Sequence, residues 1–330
     1  MKKILVITDN LPDQVNGVVT TYRNLAKVAH SDGYTIEFID PTKFPHISCP
    51  GYPEVKLALP WRMAKHLELA GPSYYHIATE GPLGLAARAY LTSRGIRYNT
   101  SYHTRFPEGL HTLLGVPEWL TWRYIRWFHK HSGRCLATTK SVVSELIARG
   151  IDGAVSWTRG VDCELFNPRP KAAKPRKTLL CVSRVSREKN LERFCELEIP
   201  NTHKILVGSG PHLDRLKKHY PTVEYAGMRH GVELAEYYQN ADVFVFPSTW
   251  DTFGLVMLEA IACGTPVAAY PVNGPLDVVE CGVTGILDKN LAQAVYQCLH
   301  LDRDLVYLGS KHWTWQKCWE IFHENLVEPV

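Results

Sequence analysis

The chain of 330 residues is long enough for about two domains, which excludes a peptide hormone and a small disulfide-stapled scaffold. Hydrophobic residues make up 45% of the sequence and charged residues 21%, as in an ordinary soluble globular protein. The net charge is +4, and 19 basic and 14 acidic residues lie in 1–165. This mild excess argues against a dedicated nucleic-acid binder, but it leaves room for a basic surface on the first half.

Nine cysteines without a CxxC pair favour reduced thiols over a disulfide framework or a structural zinc site. The apolar run 4–7 near the start has the length of a strand and is too short for an export signal. No stretch approaches the ~18 apolar residues that a membrane-spanning helix needs. We therefore expect a cytoplasmic protein.

Short apolar runs alternate with helical patterns along the chain, which is typical of parallel strands joined by crossover helices. In the first half we predict helices over 17–31 and 82–93 and strands over 3–8, 34–40, 75–79, 97–101, 134–139 and 154–158. In the second half we predict strands over 178–182, 203–207, 223–226, 242–246, 266–269 and 283–287. The fold class is therefore α/β, with two doubly wound, Rossmann-like domains that are expected to face each other across a cleft.

The segment 166–177 separates the two series, since it carries three prolines and five basic residues with little apolar content. We predict one domain over 1–165, this segment as a linker, and a second domain over 178–310. Residues 311–330 have large aromatic side chains at helical spacing, so we expect a final helix that returns to the first domain.

The segment 247–266 carries the densest signal for a ligand site. A strand ends, a polar loop follows, and a helix is predicted to begin near Gly254 and to end before Gly264. Ligands of an open parallel sheet bind outside the carboxyl ends of the strands, where a helix start also favours a phosphate. Asp251 and Glu259 would hold sugar hydroxyls at two points, or they are a helix cap and an exposed helix residue.

A basic cluster follows the first predicted strand of the second half. Arg184 and Lys189 lie in this loop, where a guanidinium and an ammonium suit a diphosphate; a solvated basic loop is the alternative. Gly208 and Gly210 follow the next strand. Because the third glycine of a dinucleotide fingerprint is replaced by Leu213, they predict a tight turn that permits close approach of a ligand.

Two positions in the first half also follow predicted strands. Gly17 opens a helix after the first strand, where glycine lets the backbone approach a phosphate or a sugar, although an ordinary helix start has the same pattern. His103 comes directly after the strand 97–101, and this position alone distinguishes it among 15 histidines.

Taken together, five segments resemble the retaining glycosyltransferases of family four, which have the GT-B architecture. The segments are Asn16-Gly17-Val18, Ser101-Tyr-His103-Thr-Arg105-Phe-Pro107, Ser183-Arg184 with Glu188-Lys189-Asn190, Gly208-Ser-Gly-Pro211, and Asp251 through Glu259 with Gly264-Thr-Pro266. The resemblance covers the chain from about residue 3 to about residue 325. It is nearest to the bacterial mannosyltransferase-like and sulfolipid-synthase-like members.

The resemblance implies that the first domain is the acceptor side and that the second binds a nucleotide sugar. Gly17 would contact the donor diphosphate through its backbone, and His103 would bond a hydroxyl of the transferred sugar. Arg184 and Lys189 would grip the diphosphate and stabilise the charge of the leaving nucleotide. Glu259 would hold the ribose hydroxyls.

Asp251 matches the first acid of the paired-glutamate motif of the family, but it is one methylene shorter. The resemblance also implies a set of donor contacts made largely by backbone, at Gly208, Gly210, Phe253, Gly254, Leu255 and Val256.

The implied reaction moves a hexose of the mannose or glucose type, from a donor such as GDP-mannose or UDP-glucose, to a lipid or glycan acceptor with retention. Breaking the glycosyl phosphate bond leaves negative charge on the diphosphate, so preorganised cations and helix dipoles lower the barrier. No metal and no further cofactor are expected, because Arg184, Lys189 and a helix end already neutralise the phosphates.

The segment 117–132 mixes aromatic and basic residues at helical spacing. This pattern predicts either an interfacial helix on anionic lipid or a stripe that is buried against the sheet. The residues assigned to the acceptor side or to a membrane surface are Arg105, Trp119, Trp122, Arg123, Arg126, Trp127 and Lys130.

Two other functions fit the same architecture. A nucleotide-sugar epimerase would bind a similar donor without an acceptor, and a non-catalytic relative would bind the donor without transfer. A nicotinamide dehydrogenase is disfavoured, since no complete glycine fingerprint follows any strand.

Overall fold

The computed structural model describes residues 1–14, 16–49, 52–103, 105–171 and 174–330. Thr104 of the histidine segment and residues 172 and 173 of the predicted linker lie outside these ranges. The chain divides into two compact units, unit 1 with Met1–Arg159 and Trp315–Val330, and unit 2 with Gly160–Thr314. The segment before residue 178 that was predicted to be a linker is thus grouped with unit 2.

The strands of both units follow the predicted alternation. They are β1 (Lys2–Ile7), β2 (Tyr34–Ile39), β3 (His46–Cys49), β4 (Tyr52–Ala58), β5 (Tyr74–Ile77), β6 (Asn99–Tyr102), β7 (Cys135–Ala137), β8 (Ala154–Ser156), β9 (Lys177–Val182), β10 (Thr202–Val207), β11 (Glu224–Gly227), β12 (Val243–Phe246), β13 (Val267–Ala269) and β14 (Gly285–Leu287). The twelve predicted strands are confirmed within a few residues at each end. The hairpin of β3 and β4 was not predicted.

Helices connect most of the strands. They are α1 (Gly17–Ser31), α2 (Met63–Ala70), α3 (Pro82–Ser93), α4 (Phe106–Leu114), α5 (Glu118–His129), α6 (Lys140–Ala148), α7 (Leu191–Cys195), α8 (Leu213–His219), α9 (Gly231–Asn240), α10 (Leu255–Ala262), α11 (Pro275–Val278), α12 (Leu291–Cys298), α13 (Arg303–Leu308) and α14 (Trp315–Glu324). Among the described residues, no helix has both the length and the apolar content that crossing a bilayer requires.

Each unit contains one six-stranded parallel sheet, and the two sheets differ in strand order on one side of their first strand. The order is β2-β1-β5-β6-β7-β8 in unit 1 and β11-β10-β9-β12-β13-β14 in unit 2. In both, the first strand of the series has a neighbour on each side, so the strand order reverses beside it. The predicted α/β class with two Rossmann-like sheets is confirmed, and each reversal marks the place where such sheets bind ligands.

The strands form because their apolar runs can be covered on both faces. The residues Ile4, Leu5, Val6 and Ile7 of β1 are all fully buried, as are the core positions of β12. Continuous burial of this kind is typical of parallel sheets with helices on both sides. The sequence therefore fixes strand position through apolar runs and not through alternation.

Helix α14 packs on the sheet of unit 1. Cys318, Trp319 and Phe322 are buried in one cluster with β1 and α1. The indole Nε1 of Trp319 donates to Asp32 Oδ2 at 2.8 Å, and the indole Nε1 of Trp157 donates to the Cys318 carbonyl at 2.9 Å. The last helix thus completes the core of the unit that begins the chain.

We predict that Trp319→Ala lowers the free energy of unfolding by about 3–5 kcal/mol, the usual cost of removing a large buried aromatic side chain. Trp319 is only 1% exposed. Urea unfolding monitored by circular dichroism measures the effect, with Gln316→Ala on the exposed side of the same helix as the control. Equal stability of both variants would show that α14 contributes little to unit 1.

Candidate functional site

The strand reversal of unit 2 brings two loops together. Because β9 and β12 are neighbouring parallel strands, the loops that follow them leave the sheet at the same edge. The first of these loops carries Arg184 and Lys189, and the second carries Asp251. Two segments that are about 60 residues apart in sequence are thereby neighbours.

An ion pair joins these two loops. Lys189 Nζ lies 2.6 Å from Asp251 Oδ1, and both side chains are mostly buried. Burial alone would raise the pKa of Asp251, but the Lys189 ammonium holds that pKa below its ordinary value. The neighbouring Asn190 adds a hydrogen bond of 3.2 Å from Nδ2 to the Pro247 carbonyl. A positive group is therefore fixed at the edge of the sheet.

Helix α10 begins directly after this loop with its first turn uncapped by a side chain. Gly254 occupies the N-cap position with φ +87°, and an added Cβ would lie 2.8 Å from Met257 Cε and 3.1 Å from Phe246 Cζ. Leu255 and Val256 are the first two helical residues. Their N–H groups carry the positive end of the helix dipole, which suits an anion.

Phe253, one of the predicted donor contacts, lies directly before Gly254, and its backbone contact stays a prediction. Its side chain is buried and meets the Trp313 ring edge-on at 5.5 Å, so it belongs to the core of unit 2. Only its backbone remains available for the predicted role.

Glu259 lies one turn and a half into α10 and is held by a second helix. The hydroxyl of Tyr238 on α9 donates to Glu259 Oε2 at 2.8 Å. Burial raises the pKa of Glu259 to about 7, while the Tyr238 hydrogen bond acts in the opposite direction. Glu259 is therefore desolvated, and it forms no ion pair with another described residue. Hydroxyl groups of a ligand would supply the hydrogen bonds that it has lost.

Gly208 and Gly210 are required by backbone packing. A Cβ on Gly208, which has φ +141°, would lie 1.9 Å from the Ser183 carbonyl oxygen, and one on Gly210 would lie 2.3 Å from that of Val185. The N–H of Val185 donates to the Ser209 carbonyl at 2.9 Å. The two glycines therefore let the loop after β10 support the loop that carries Arg184.

At the strand reversal of unit 1, the side chain of Asp9 takes the place where a ligand could bind. Asp9 follows β1, and its carboxylate accepts from the N–H of Leu83 at 2.8 Å and from the Thr79 hydroxyl at 2.7 Å. Leu83 is the second residue of α3, and an added Cβ on Gly81 would lie 2.5 Å from the Asp9 carboxyl carbon. An anion already fills the start of α3, in contrast to the start of α10.

His103 lies in a buried polar cluster at the carboxyl end of β6. Its Nε2 is 3.2 Å from the Tyr22 hydroxyl, and its Nδ1 is 2.9 Å from Arg159 NH2. The Tyr22 hydroxyl also meets His76 Nε2 at 2.7 Å and Ser101 Oγ at 3.1 Å. Burial lowers the pKa of His76 to about 3 and holds the pKa of His103 well below its ordinary value.

Gly17 is the exposed first residue of α1, as predicted from the helix pattern. The neighbouring Asn16 caps this helix, since its Oδ1 accepts from the N–H of Val19 at 2.9 Å. The backbone of Gly17 is therefore accessible at a helix start, and its contact with a diphosphate stays a prediction.

Helix α5 divides its aromatic residues between core and surface. Trp122 is buried and stacks on Tyr102 at 6.1 Å, so its assignment to a membrane surface is wrong. Trp119 is 67% exposed and Trp127 is 48% exposed. Arg123 and Arg126 are exposed on the same helix, and Lys130 is exposed directly after its last residue. One helix thus combines a buried stripe with an exposed aromatic and basic surface.

The guanidinium of Arg105 forms ion pairs with two carboxylates. Its NH2 lies 2.6 Å from Glu145 Oε2, and its NH1 lies 3.5 Å from Glu108 Oε1. These contacts tie the start of α4 to α6, which gives Arg105 a structural role that the sequence did not reveal.

Two cavities lie on either side of α5. One of about 630 Å³ is mainly apolar and is lined by Pro82, Leu85, Leu110, Val116, Leu120, Tyr124 and other residues of α3, α4 and α5. The other, of about 550 Å³, is lined by Arg123, Arg126, Lys130 and residues 150–153 among others. An apolar space and a basic space therefore adjoin the same helix. In the described ranges, no three His, Cys, Asp or Glu side chains form a group that could hold a metal ion.

Sequence reasoning missed the partners of the site residues. Tyr238 lies in the middle of a helix, and Tyr22 lies on the buried face of α1, so neither has a local signal. Two signals were available: His76 interrupts a fully buried apolar strand, and Arg159 follows the carboxyl end of β8. A polar residue in such a position indicates a buried hydrogen-bond partner.

Two family models match this chain. The family model described as Glycosyltransferase Family 4 matches residues 15–165, and the one described as Glycosyl transferases group 1 matches residues 164–298. A GDP-mannose-dependent alpha-mannosyltransferase of Mycobacterium tuberculosis is 27% identical over 98% of this chain and 95% of its own length.

A second relative, an alpha-monoglucosyldiacylglycerol synthase of Streptococcus pneumoniae, is 25% identical over 99% of this chain and 84% of its own length. Among solved structures, a sucrose-phosphate synthase from Thermosynechococcus elongatus superposes with a TM-score of 0.78. It covers 98% of both chains at 20% identity, a likeness that concerns the fold.

We predict that Glu259→Gln stabilises the ligand-free protein at pH 8. The pKa of Glu259 is about 7 in the folded chain against an ordinary 4.5. Since the raised pKa means that ionising the folded form costs more, the penalty is absent well below pH 4.5, grows between about pH 4.5 and 7, and is complete above pH 7. At 1.36 kcal/mol per unit, removing it adds about 3 kcal/mol at pH 8 and less than 1 kcal/mol at pH 5.

Urea midpoints at the two pH values measure this difference, and Glu236→Gln on the exposed side of α9 is the control. A gain that is the same at pH 5 and pH 8 would contradict the raised pKa.

Proposed function

The chain belongs to the family 4 glycosyltransferases with the GT-B fold, and we propose that it moves a hexose from a nucleotide diphosphate sugar to a lipid or glycan acceptor. Unit 2 is the donor-binding part and unit 1 the acceptor-binding part in this proposal. The names of two relatives refer to GDP-mannose and to monoglucosyldiacylglycerol, which supports a hexose of the mannose or glucose type.

One observation carries the proposal: the Lys189–Asp251 pair beside the uncapped start of α10. A fixed ammonium and the N–H groups of Leu255 and Val256 together offer a preorganised positive site for a diphosphate. At the strand reversal of unit 1, the Asp9 carboxylate instead accepts from the N–H of Leu83 at the start of α3. This contrast supports unit 2 as the donor-binding part.

The reaction would use these groups when the glycosyl phosphate bond breaks. Negative charge then develops on the diphosphate, and Lys189, Arg184 and the start of α10 stabilise it in the transition state. Glu259 accepts hydrogen bonds from the ribose hydroxyls, and this binding offsets the cost of its desolvation. Asp251 holds the Lys189 ammonium and offers its second oxygen to a sugar hydroxyl.

We further propose that the anomeric configuration is retained and that no metal is required. The acceptor hydroxyl would attack the anomeric carbon on the face from which the diphosphate leaves, and a leaving phosphate oxygen would take the hydroxyl proton. The cationic groups of unit 2 provide the charge neutralisation that a divalent ion would otherwise supply.

The acceptor would bind at unit 1, beside α5. The exposed side chains of Trp119 and Trp127 suit an interfacial position, and the exposed bases Arg123, Arg126 and Lys130 suit anionic headgroups. The adjoining apolar cavity of about 630 Å³ can receive part of an acyl chain. These features support a lipid acceptor at an anionic membrane surface.

We expect Lys189→Ala and Glu259→Ala each to lower turnover at least a hundredfold. Lys189 is a transition-state donor whose loss costs about 3 kcal/mol, and Glu259 accepts the ribose hydroxyl hydrogen bonds that position the nucleotide sugar. The assay incubates the protein with GDP-mannose or UDP-glucose and with lipid acceptors, and it measures the transferred hexose and its anomeric configuration. Lys218→Ala, an exposed site in unit 2, is the control.

A double variant separates the role of Lys189 in stability from its role in turnover. Lys189→Ala leaves Asp251 without its cation, so Lys189→Ala with Asp251→Asn should regain stability but not activity. Near-normal turnover of both single variants would refute the assignment. Conversion of the donor sugar with no acceptor present would instead indicate an epimerase.

We also expect the protein to bind vesicles that contain phosphatidylglycerol at low salt, and we expect Arg126→Glu with Lys130→Glu to abolish this binding. Reversing two exposed charges on α5 removes about 1 kcal/mol of attraction per residue and adds repulsion. Lys27→Glu with Lys140→Glu, exposed elsewhere on unit 1, keeps the same net charge as a control. Vesicle sedimentation measures binding. An equal loss of vesicle binding in both double variants would show that α5 is not the membrane-binding surface.

A further inference from the structure

Arg159 is a buried cation that has no role in the proposed reaction. It lies three residues after β8 and is 3% exposed. Its NH1 donates to the carbonyls of Trp157 and Thr158, each at 2.9 Å, and its guanidinium carbon lies 4.3 Å from the centre of the Trp157 ring. These contacts fix the plane of the guanidinium.

The fixed guanidinium points one N–H at His103. Arg159 NH2 lies 2.9 Å from His103 Nδ1. A guanidinium has five donors and no acceptor, so a hydrogen bond at this distance requires a lone pair on Nδ1. The one ring proton of a neutral His103 must then be on Nε2, which lies 3.2 Å from the Tyr22 hydroxyl.

We propose that Arg159 is a positioning residue that holds His103 in its neutral form with the proton on Nε2, so that His103 offers a hydrogen-bond donor and no base to a substrate hydroxyl. The tautomer follows from the geometry of unit 1 alone. Its use toward a sugar hydroxyl rests on the proposed function.

The surroundings of His103 support the neutral form. The titratable groups that face it are Tyr22 from α1, His76 from β5 and Arg159 itself, and Cys318 from α14 lies beside Arg159. Burial, the positive charge of Arg159 and His76 all lower the pKa of His103. A second proton on Nδ1 would also replace the Arg159 hydrogen bond with a contact between two donors.

This arrangement lets His103 act as a hydrogen-bond donor and prevents it from acting as a base. Nε2–H faces the Tyr22 hydroxyl at 3.2 Å. A bound hydroxyl would take over this donor, and the bond strengthens if its oxygen gains negative charge. The ring has no free lone pair with which to take a proton from the acceptor. His103 therefore orients a hydroxyl, and the proton of the reaction must go elsewhere.

Nitrogen-15 NMR of the histidine-labelled protein tests the tautomer directly, without any substrate. His103→Gln identifies the signal of His103. We expect the wild-type signal to show a proton on Nε2, a bare Nδ1 and no titration between pH 5 and pH 8. A proton on Nδ1 would overturn the proposal, whether or not the protein transfers a sugar.

Arg159→Met and Arg159→Lys then test the cause. Arg159→Met keeps the unbranched stem of the side chain but removes the guanidinium donor, so we expect mixed tautomers and titration of His103 at higher pH. Arg159→Lys retains a donor and should restore part of the single tautomer. Unchanged signals in Arg159→Met would overturn the role of Arg159, and the wild-type spectrum still decides the tautomer if that variant does not fold.

Kinetics test the use of the donor. A glutamine side chain can accept from Arg159 with its oxygen and donate with its nitrogen, as the Nε2–H tautomer does. We expect His103→Gln to keep turnover within tenfold of the wild type and His103→Leu to lose at least a hundredfold. We expect Arg159→Met to lower kcat at least tenfold with an unchanged KM for the donor.

Equal inactivity of His103→Gln and His103→Leu would indicate that His103 acts as a base and would overturn the proposal. If the wild type transfers no sugar from any donor, the proposed function fails, and the NMR result alone decides the role of Arg159.

Discussion

The strand order of the two parallel sheets is the constraint on which the sites of this protein depend. In each unit the first strand has neighbours on both sides, so two loops from distant parts of the sequence leave the sheet side by side. In unit 2 this brings Lys189 to 2.6 Å from Asp251. In unit 1 the corresponding reversal brings Asp9 to the start of α3. The strand reversal therefore places an ion pair beside a helix start in one unit and a carboxylate on a helix start in the other.

Burial gives the polar groups of both units their chemical state. A buried ionisable side chain needs a partner, and here the partner comes from a different element each time. Asp251 stays ionised because Lys189 is beside it, whereas Glu259 has a hydroxyl from Tyr238 and a pKa of about 7. His103 stays neutral beside the guanidinium of Arg159. The chemistry of each site is thus set by pairs that no single segment contains.

The sequence predicts the sheets well because buried parallel strands are continuous apolar runs between polar turns. It did not predict the hairpin of β3 and β4, since His46–Cys49 and Tyr52–Ala58 carry polar residues and a proline. It also placed Lys189 and Asp251 beyond the ends of strands and Glu259 on a helix, because residues just after a strand or near a helix start have a defined place in this fold. It could not pair them, since a pairing such as Tyr238 with Glu259 depends on how two helices pack.

The helical spacing of the aromatic residues in α5 predicts a helix, but it does not tell which of these residues are buried. Trp119, Trp122 and Trp127 are the same type of residue and lie on one helix, yet Trp122 is buried and the other two are exposed. The sequence offered a buried stripe or an interfacial helix as alternatives, and the helix contains both. The residues that pack on the sheet hold the exposed bases in place, so the same helix has one face in the core of unit 1 and an exposed aromatic and basic face. Stability and the proposed acceptor binding depend on different faces of α5, so a substitution there must be assigned to one face before its effect is interpreted.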